Sequence, residues 1–205
     1  WEGHYSNGGF TDGMTEKGRH GDAGLKIGRD TMQPVFDFIE AAGGKPFFLW
    51  YAPMMPHEPH NPPDRILKKY LVERRNEKLA HYWAMCEWFD ETCGELLDYL
   101  DKQGLRENTL VVVTSDNGMP FPHDKGYAYN NSDHLPLAVM WPQGIAKPGR
   151  VVDDYVSFID FAPTFLEVAG VAQSQTGMSP ITGRSLTEFF KSEKSGRVIP
   201  QRDHV

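Results

Sequence analysis

Three uninterrupted apolar runs limit what this chain can fold into: "PFFLWYAP" (residues 46–53), "TLVVVTS" (109–115) and "LPLAVMWP" (135–142). A strand wetted on one face alternates apolar with polar residues, whereas runs without alternation belong to strands covered on both faces. Helical patterns surround them. "RDTMQPVFDFIEAAGG" puts Met32, Val35, Phe36 and Ile39 on one face, with Gly43 where a helix-ending glycine belongs. Residues 76–102 space Leu79, Tyr82, Trp83, Cys86, Phe89, Cys93, Leu96, Leu97 and Leu100 three and four apart, and Gly104 follows. "VVDDYVSFID" reads as a short strand turning into a helix, "APTFLEVAG", which closes on Gly170. Strands alternating with helices predict an α/β fold: a mostly parallel central sheet flanked by helices on both faces. Residues 1–30 are glycine-rich and irregular, and 171–205 read as loop plus the short helix "SLTEFFKS".

Composition excludes some functions. A net charge of −7 over 205 residues argues against a nucleic-acid partner, which selects a basic face. No apolar run approaches the roughly 20 residues of a membrane span. Cys86 and Cys93 on one helix are about 10 Å apart along its axis, too far for a disulfide, and read as core residues. The chain opens on Trp1 without an initiator methionine or signal peptide, which implies a processed or excerpted beginning.

In open α/β sheets, sites form at the carboxyl ends of strands. "MMPHEPHNPP" follows the first run and carries His57 and His60; Asp116, Asn117 and then Lys125 follow the second. Taken singly, Asp-Asn-Gly is a turn, the histidines are loop residues and the lysine is solvated. Their convergence at strand ends changes that reading. A carboxylate and an amide oxygen side by side are hard ligands suited to Ca²⁺ or Mg²⁺. A lysine and a histidine beside them suit a sulfate or phosphate group, with the histidine able to protonate a leaving oxygen. His123 and His134 flank the lysine as candidate substrate contacts. The Asp153–Asp154 pair reads as solvated.

"LVVVTSDNG", "KGYAYNNSDHLPLAVMWP" and "VSFIDFAPTFLEVAG" resemble, in order, segments of the sulfatases of the alkaline-phosphatase superfamily. Lys125 precedes Pro136 by eleven residues, as the basic residue and strand-opening proline do in that family. Val156, Ser157, Asp160, Pro163 and Thr164 match its Val-Ser-x-x-Asp-x-x-Pro-Thr stretch, and "PFFLWYAPMMPHEPH" resembles the strand leading to its catalytic histidine. The resemblance covers residues from about 30 to 190, and implies that 1–205 are part of one sulfatase catalytic domain. It implies that Asp116 and Asn117 bind the cation, usually calcium with magnesium as the alternative. It implies that Lys125 contacts the sulfate, and that His57 acts near the leaving oxygen with His60 as second choice. "DNGMPFP" resembles the branch that includes N-sulfoglucosamine sulfohydrolases. The implied substrates are sulfated carbohydrates or aryl sulfates, and the implied location is extracytoplasmic: periplasmic, secreted or lysosomal.

The family's nucleophile, a Cys/Ser-x-Pro/Ala-x-Arg motif matured to formylglycine, is absent: Cys86 precedes "EWFD" and Cys93 precedes "GELL". The family's early aspartate pair is missing too. The resemblance therefore implies an internal or C-terminal-half fragment, expected to be inactive by itself. Two other readings stand beside sulfate hydrolysis: a phosphodiester or phosphonate hydrolase or phosphoryl transferase of the same superfamily, and a non-catalytic remnant that binds anions. The upstream nucleophile would discriminate among them.

Overall fold

A computed structural model of the chain describes residues 4–13, 22–73 and 75–202. Of the irregular segment expected over residues 1–30, residues 1–3 and 14–21 lie outside the described residues; in the rest, Tyr5–Gly8 and Asp22–Leu25 form single 3-10 turns. The chain divides into two compact units, Trp1–Gly104 and Leu105–Val205.

The first unit is built on three helices. Helix α1 (Gln33–Ala41) starts at a proline-bearing first turn and buries Met32, Val35 and Ile39, the stripe its spacing predicts; Gly43 follows with φ 58°. Residues 46–52 form neither helix nor strand and pair with no strand among the described residues, which corrects the expected first strand. A period-two alternation of exposure is present all the same. Phe47, Leu49 and Tyr51 are half-buried, while Phe48 and Trp50 on the opposite face are 58% and 70% exposed. A strand is defined by its ladder, and the apolar run does not supply a partner. Helix α2 (Asp64–Tyr70), hidden from sequence reading behind Pro62 and Pro63, buries Ile66 and packs on the long helix α3 (Glu77–Lys102). Arg65 bonds both carboxylate oxygens of Glu91, and Lys69 and Tyr70 both reach Glu87.

Asn76 caps α3 by accepting from the Lys78 amide at 2.9 Å. The buried positions of α3 are Ala80, Ala84, Met85, Thr92 and Leu100; of the expected stripe only Leu100 is among them, and its other members are half-buried. Small side chains lie where a neighbouring helix comes close, and the long ones extend sideways and stay half-covered. Cys86 and Cys93 are half-buried free thiols, not core residues. Burial pushes both upward from the usual thiol range, Cys93 to about 11, so both are protonated at neutral pH.

The second unit contains β1 (Val111–Thr114), the one-turn helix α4 (Asn130–Asp133) and β2 (Leu137–Met140). These strands pair antiparallel, with Val111 opposite Met140 and Thr114 opposite Leu137. The mostly parallel sheet is therefore not found among the described residues. A parallel partner needs a crossover, usually a helix; residues 115–136 offer tight turns and one helical turn, so the chain reverses instead. Val113 and Leu137 are exposed, so this pair is not covered on both faces. Downstream, the expected short strand at 151–160 reduces to a single bridge between Val152 and Gly196.

Helix α5 (Phe161–Ala169) ends at Gly170 (φ 67°) as its sequence predicts, and α6 (Thr187–Lys191) packs against it. Leu186, Phe189 and Phe190 form the buried centre, covered by Val139 and Trp141 near β2 and by Phe161 and Val168 of α5. The Val-Ser-x-x-Asp-x-x-Pro-Thr stretch builds the joint between these helices. Asp160 accepts from the amides of Ser157 (2.8 Å) and Arg184 (2.7 Å) and from the Arg202 guanidinium. Thr164 donates to the Asp160 carbonyl and accepts from the Leu186 amide. Asp154, read as solvated, is instead 8% exposed and accepts from the amides of Val198 and Ile199 at 2.6 and 2.9 Å. Two adjacent acids look like surface in sequence, but one carboxylate here serves as a turn's hydrogen-bond acceptor.

Candidate active site

The antiparallel register brings both ends of the 115–136 loop to one edge of the β1–β2 pair. That loop carries Asp116, Asn117, His123, Lys125 and His134. Thr114 donates to the Pro136 carbonyl at 2.8 Å, and Ser115 donates to the Asn117 carbonyl at 2.8 Å, so the chain leaves β1 already folded back. Gly118 then meets α4. A Cβ there would lie 2.8 Å from the Asn131 oxygen and 3.1 Å from the Ser132 Cα. This close approach explains the glycine after Asp-Asn. Gly118→Ala is expected to cost about 1–3 kcal/mol, because backbone has to move. Urea denaturation measures it, and a cost below about 0.5 kcal/mol would show that the two segments do not press together.

Asp116 is exposed and Asn117 half-buried. No hydrogen bond or ion pair to another described residue occupies the Asp116 carboxylate. Both residues supply hard oxygens, which fits calcium or magnesium. They furnish at most a share of the six to eight oxygens calcium takes. Among the described residues no group of three or more His, Cys, Asp or Glu is arranged to hold a metal.

Lys125 and His123 are exposed on a compact turn in which the Met119 carbonyl accepts from the amides of Phe121 and Lys125, with Asp124 buried beneath. His123 has φ 71°, an uncommon conformation for a residue with a Cβ. Its ring lies 6.1 Å from that of Tyr127 and 5.7 Å from that of Tyr129, and both tyrosines are exposed. His134 follows α4 with an exposed side chain.

His57 and His60 belong to the first unit, on the loop that links the extended segment to α2. His57 is exposed, and its Nδ1 donates to the Glu58 carbonyl at 3.0 Å, which orients the ring. His60 is half-buried, edge-on to Tyr82, and its Nε2 is buried without a hydrogen-bond partner among the described residues. Burial lowers the His60 pKa, opposed by the charge of Glu58, and so favours the neutral ring.

Sequence reading missed Arg29. Its guanidinium donates to the carbonyls of Pro59 (2.9 Å), Met54 (2.5 Å) and His57 (3.1 Å) and to the Asn61 side-chain oxygen. The one local signal is the glycine before it. A Cβ on Gly28 would fall 2.6 Å from the Tyr51 hydroxyl and 2.8 Å from the Met55 methyl, so the "IGRD" turn lies directly against this loop.

The sequence model of the Sulfatase family matches residues 12–171. Arylsulfatase K of Xenopus laevis is 37% identical over 125 residues, 59% of this chain and 22% of that protein. N-acetylglucosamine-6-O-sulfatase of Bacteroides thetaiotaomicron is 38% identical over 130 residues, 62% of this chain and 22% of that protein. This chain thus spans about a fifth of the curated relatives it matches. The structure of Ps i-CgsB in complex with k-i-k-neocarrahexaose superposes with a TM-score of 0.66 at 27% identity, over 78% of this chain and 37% of that one. The family match covers most of the chain, including the His57 loop and the Asp116–Lys125 loop, and the chain belongs to the sulfatase family.

Proposed function

We propose that this chain is part of a single sulfatase catalytic domain that hydrolyses sulfate esters or N-sulfate groups on sulfated carbohydrates. The observation that carries this reading is the family match over residues 12–171, which spans both histidine- and lysine-bearing loops. A relative named N-acetylglucosamine-6-O-sulfatase, and a neighbour in complex with k-i-k-neocarrahexaose, support a carbohydrate substrate. Asp116 and Asn117 are oxygen ligands for calcium, with magnesium the alternative. A bound cation there would neutralise charge on the sulfate. The formylglycine nucleophile and the remaining ligands come from sequence outside these residues.

The residues in hand have separable roles. Lys125 holds one ammonium against a sulfate oxygen, a contact that a compact point charge makes without bidentate geometry. His57 gives a proton to the leaving oxygen as the sulfur–oxygen bond breaks. His123 and His134 contact the substrate beside the lysine, and His60 is the second candidate for the proton donor. An extracytoplasmic location accompanies the family reading. Among the described residues no helix is long and apolar enough to cross a membrane.

Lys125 provides the test. In the full-length protein Lys125→Ala is expected to lower kcat/KM for 4-nitrophenyl sulfate by about 10², or about 2.7 kcal/mol. Lys102→Ala, at the exposed end of α3, is expected to change it by less than about twofold. Lys125→Arg is expected to keep part of the activity. Equal rates for the Lys125→Ala and Lys102→Ala variants would remove Lys125 from the site.

A further inference from the structure

We infer that Arg29 is a positioning residue for His57: its guanidinium holds the Met54–Asn61 loop in the shape that presents the histidine to the leaving oxygen. The inference rests on the reading of His57 as proton donor. Four acceptors meet one guanidinium, three main-chain carbonyls and the Asn61 amide oxygen, and one of the carbonyls belongs to His57 itself. These acceptors lie at residues 54, 57, 59 and 61, so the contacts bracket the histidine on both sides. The Arg29 guanidinium also stands 5.9 Å from the Trp88 ring of α3, which ties the loop to the rigid helix.

The chemistry of the contacts argues for shape rather than charge pairing. All four partners are neutral oxygens. The guanidinium donates in a fixed planar fork, which suits several carbonyls converging from one loop, whereas an ammonium is a single point with rotating donors. Arg29 thus satisfies three carbonyls of one loop and the Asn61 side-chain oxygen from a single side chain. Gly28 permits the close approach, since any Cβ there would collide with Tyr51 and Met55. With the backbone pinned and the Nδ1 of His57 committed to the Glu58 carbonyl, the imidazole orientation follows from the loop.

The experiment is a double-mutant cycle in the full-length protein, with phenyl sulfate and 4-nitrophenyl sulfate as probes. Phenolate is the poorer leaving group and depends more on protonation; 4-nitrophenolate depends less. His57→Ala is expected to lower kcat on phenyl sulfate by about 10². Arg29→Ala is expected to lower it by about tenfold, to change KM by less than about twofold, and to affect 4-nitrophenyl sulfate less than about threefold. In the His57→Ala background, Arg29→Ala is expected to cost less than about twofold more, because its effect passes through the histidine. Equal losses on both probes, or full additivity with His57→Ala, would overturn the role of Arg29 while leaving His57 in place. A His57→Ala variant without dependence on the leaving group would instead overturn the His57 reading, and Arg29 with it. Arg29→Lys, which keeps the charge without the fork, is run in parallel so that the cycle survives an unfolded alanine variant. Wild-type kcat for Arg29→Lys on phenyl sulfate also overturns the inference.

Discussion

Asp160→Ala is expected to destabilise the full-length protein by about 3–5 kcal/mol, the range for removing one partner of a buried ion pair. Asp160 is 4% exposed and Arg202 is 3% exposed, so the truncation leaves a guanidinium in the interior without its counter-charge. The Asp160 carboxylate also satisfies the amides of Ser157 and Arg184. Arg202 keeps its bond to the Tyr155 carbonyl and its place over the Phe189 ring, but neither carries negative charge. The companion variant separates charge burial from packing. Asp160→Ala combined with Arg202→Met is expected to cost less than the sum of the two single changes, since the uncompensated charge leaves with the arginine. Urea denaturation of the three variants measures this. A loss below about 1 kcal/mol for Asp160→Ala would show that water reaches the pair.

That joint also shows what kind of information the sequence carries. The Ser157–Asp160–Thr164 spacing is local, and it forms a capped helix start wherever the chain permits, so it can be read without a structure. The same holds for Gly170, the left-handed glycine that ends α5. Long-range choices are different. The apolar run at 46–53 reads as a buried strand, but whether a ladder forms depends on a partner that no residue in the run specifies. The runs at 109–115 and 135–142 contain β1 and β2, and their antiparallel pairing follows from the connection between them, which a search for alternating strands and helices overlooks. Helix α2 was hidden because two prolines before it read as loop, although proline is at home at a helix start.

The site divides in the same way. Asp116, Asn117 and Lys125 stand out as candidates because three unusual residue types follow an apolar strand, and the structure carries all three on the loop after β1. Gly118 could be assigned a reason only once Asn131 and Ser132 were seen against it. Arg29 was not legible at all, since its partners are 25 to 32 positions away and an isolated arginine in a glycine-rich stretch reads as solvated. Asp154 failed in the opposite sense: its neighbour Asp153 made a buried acceptor look like a surface acid pair.

Asp116→Ala is expected to remove calcium dependence and lower kcat by about 10³ in the full-length protein. A bound cation contributes several kcal/mol of charge stabilisation, and each 1.36 kcal/mol is a factor of ten. Asn117→Ala is expected to do the same to a smaller degree, about tenfold, because a neutral oxygen is lost rather than a charged one. The order follows from ligand charge: calcium affinity rises with the number of carboxylates in the shell. The Ser115 hydroxyl donates to the main-chain carbonyl of the half-buried Asn117, a turn contact that the alanine variant keeps. Asp116→Asn separates the two contributions: it keeps an oxygen of similar reach and removes the charge, so it is expected to fall between the two alanine variants. Calorimetric titration with calcium, followed by steady-state rates at saturating calcium, distinguishes lost affinity from lost chemistry. If excess calcium restores the Asp116→Asn variant but not Asp116→Ala, the carboxylate acts as a ligand. If all three variants bind calcium as tightly as the parent, the Asp-Asn-Gly stretch is a turn and nothing more.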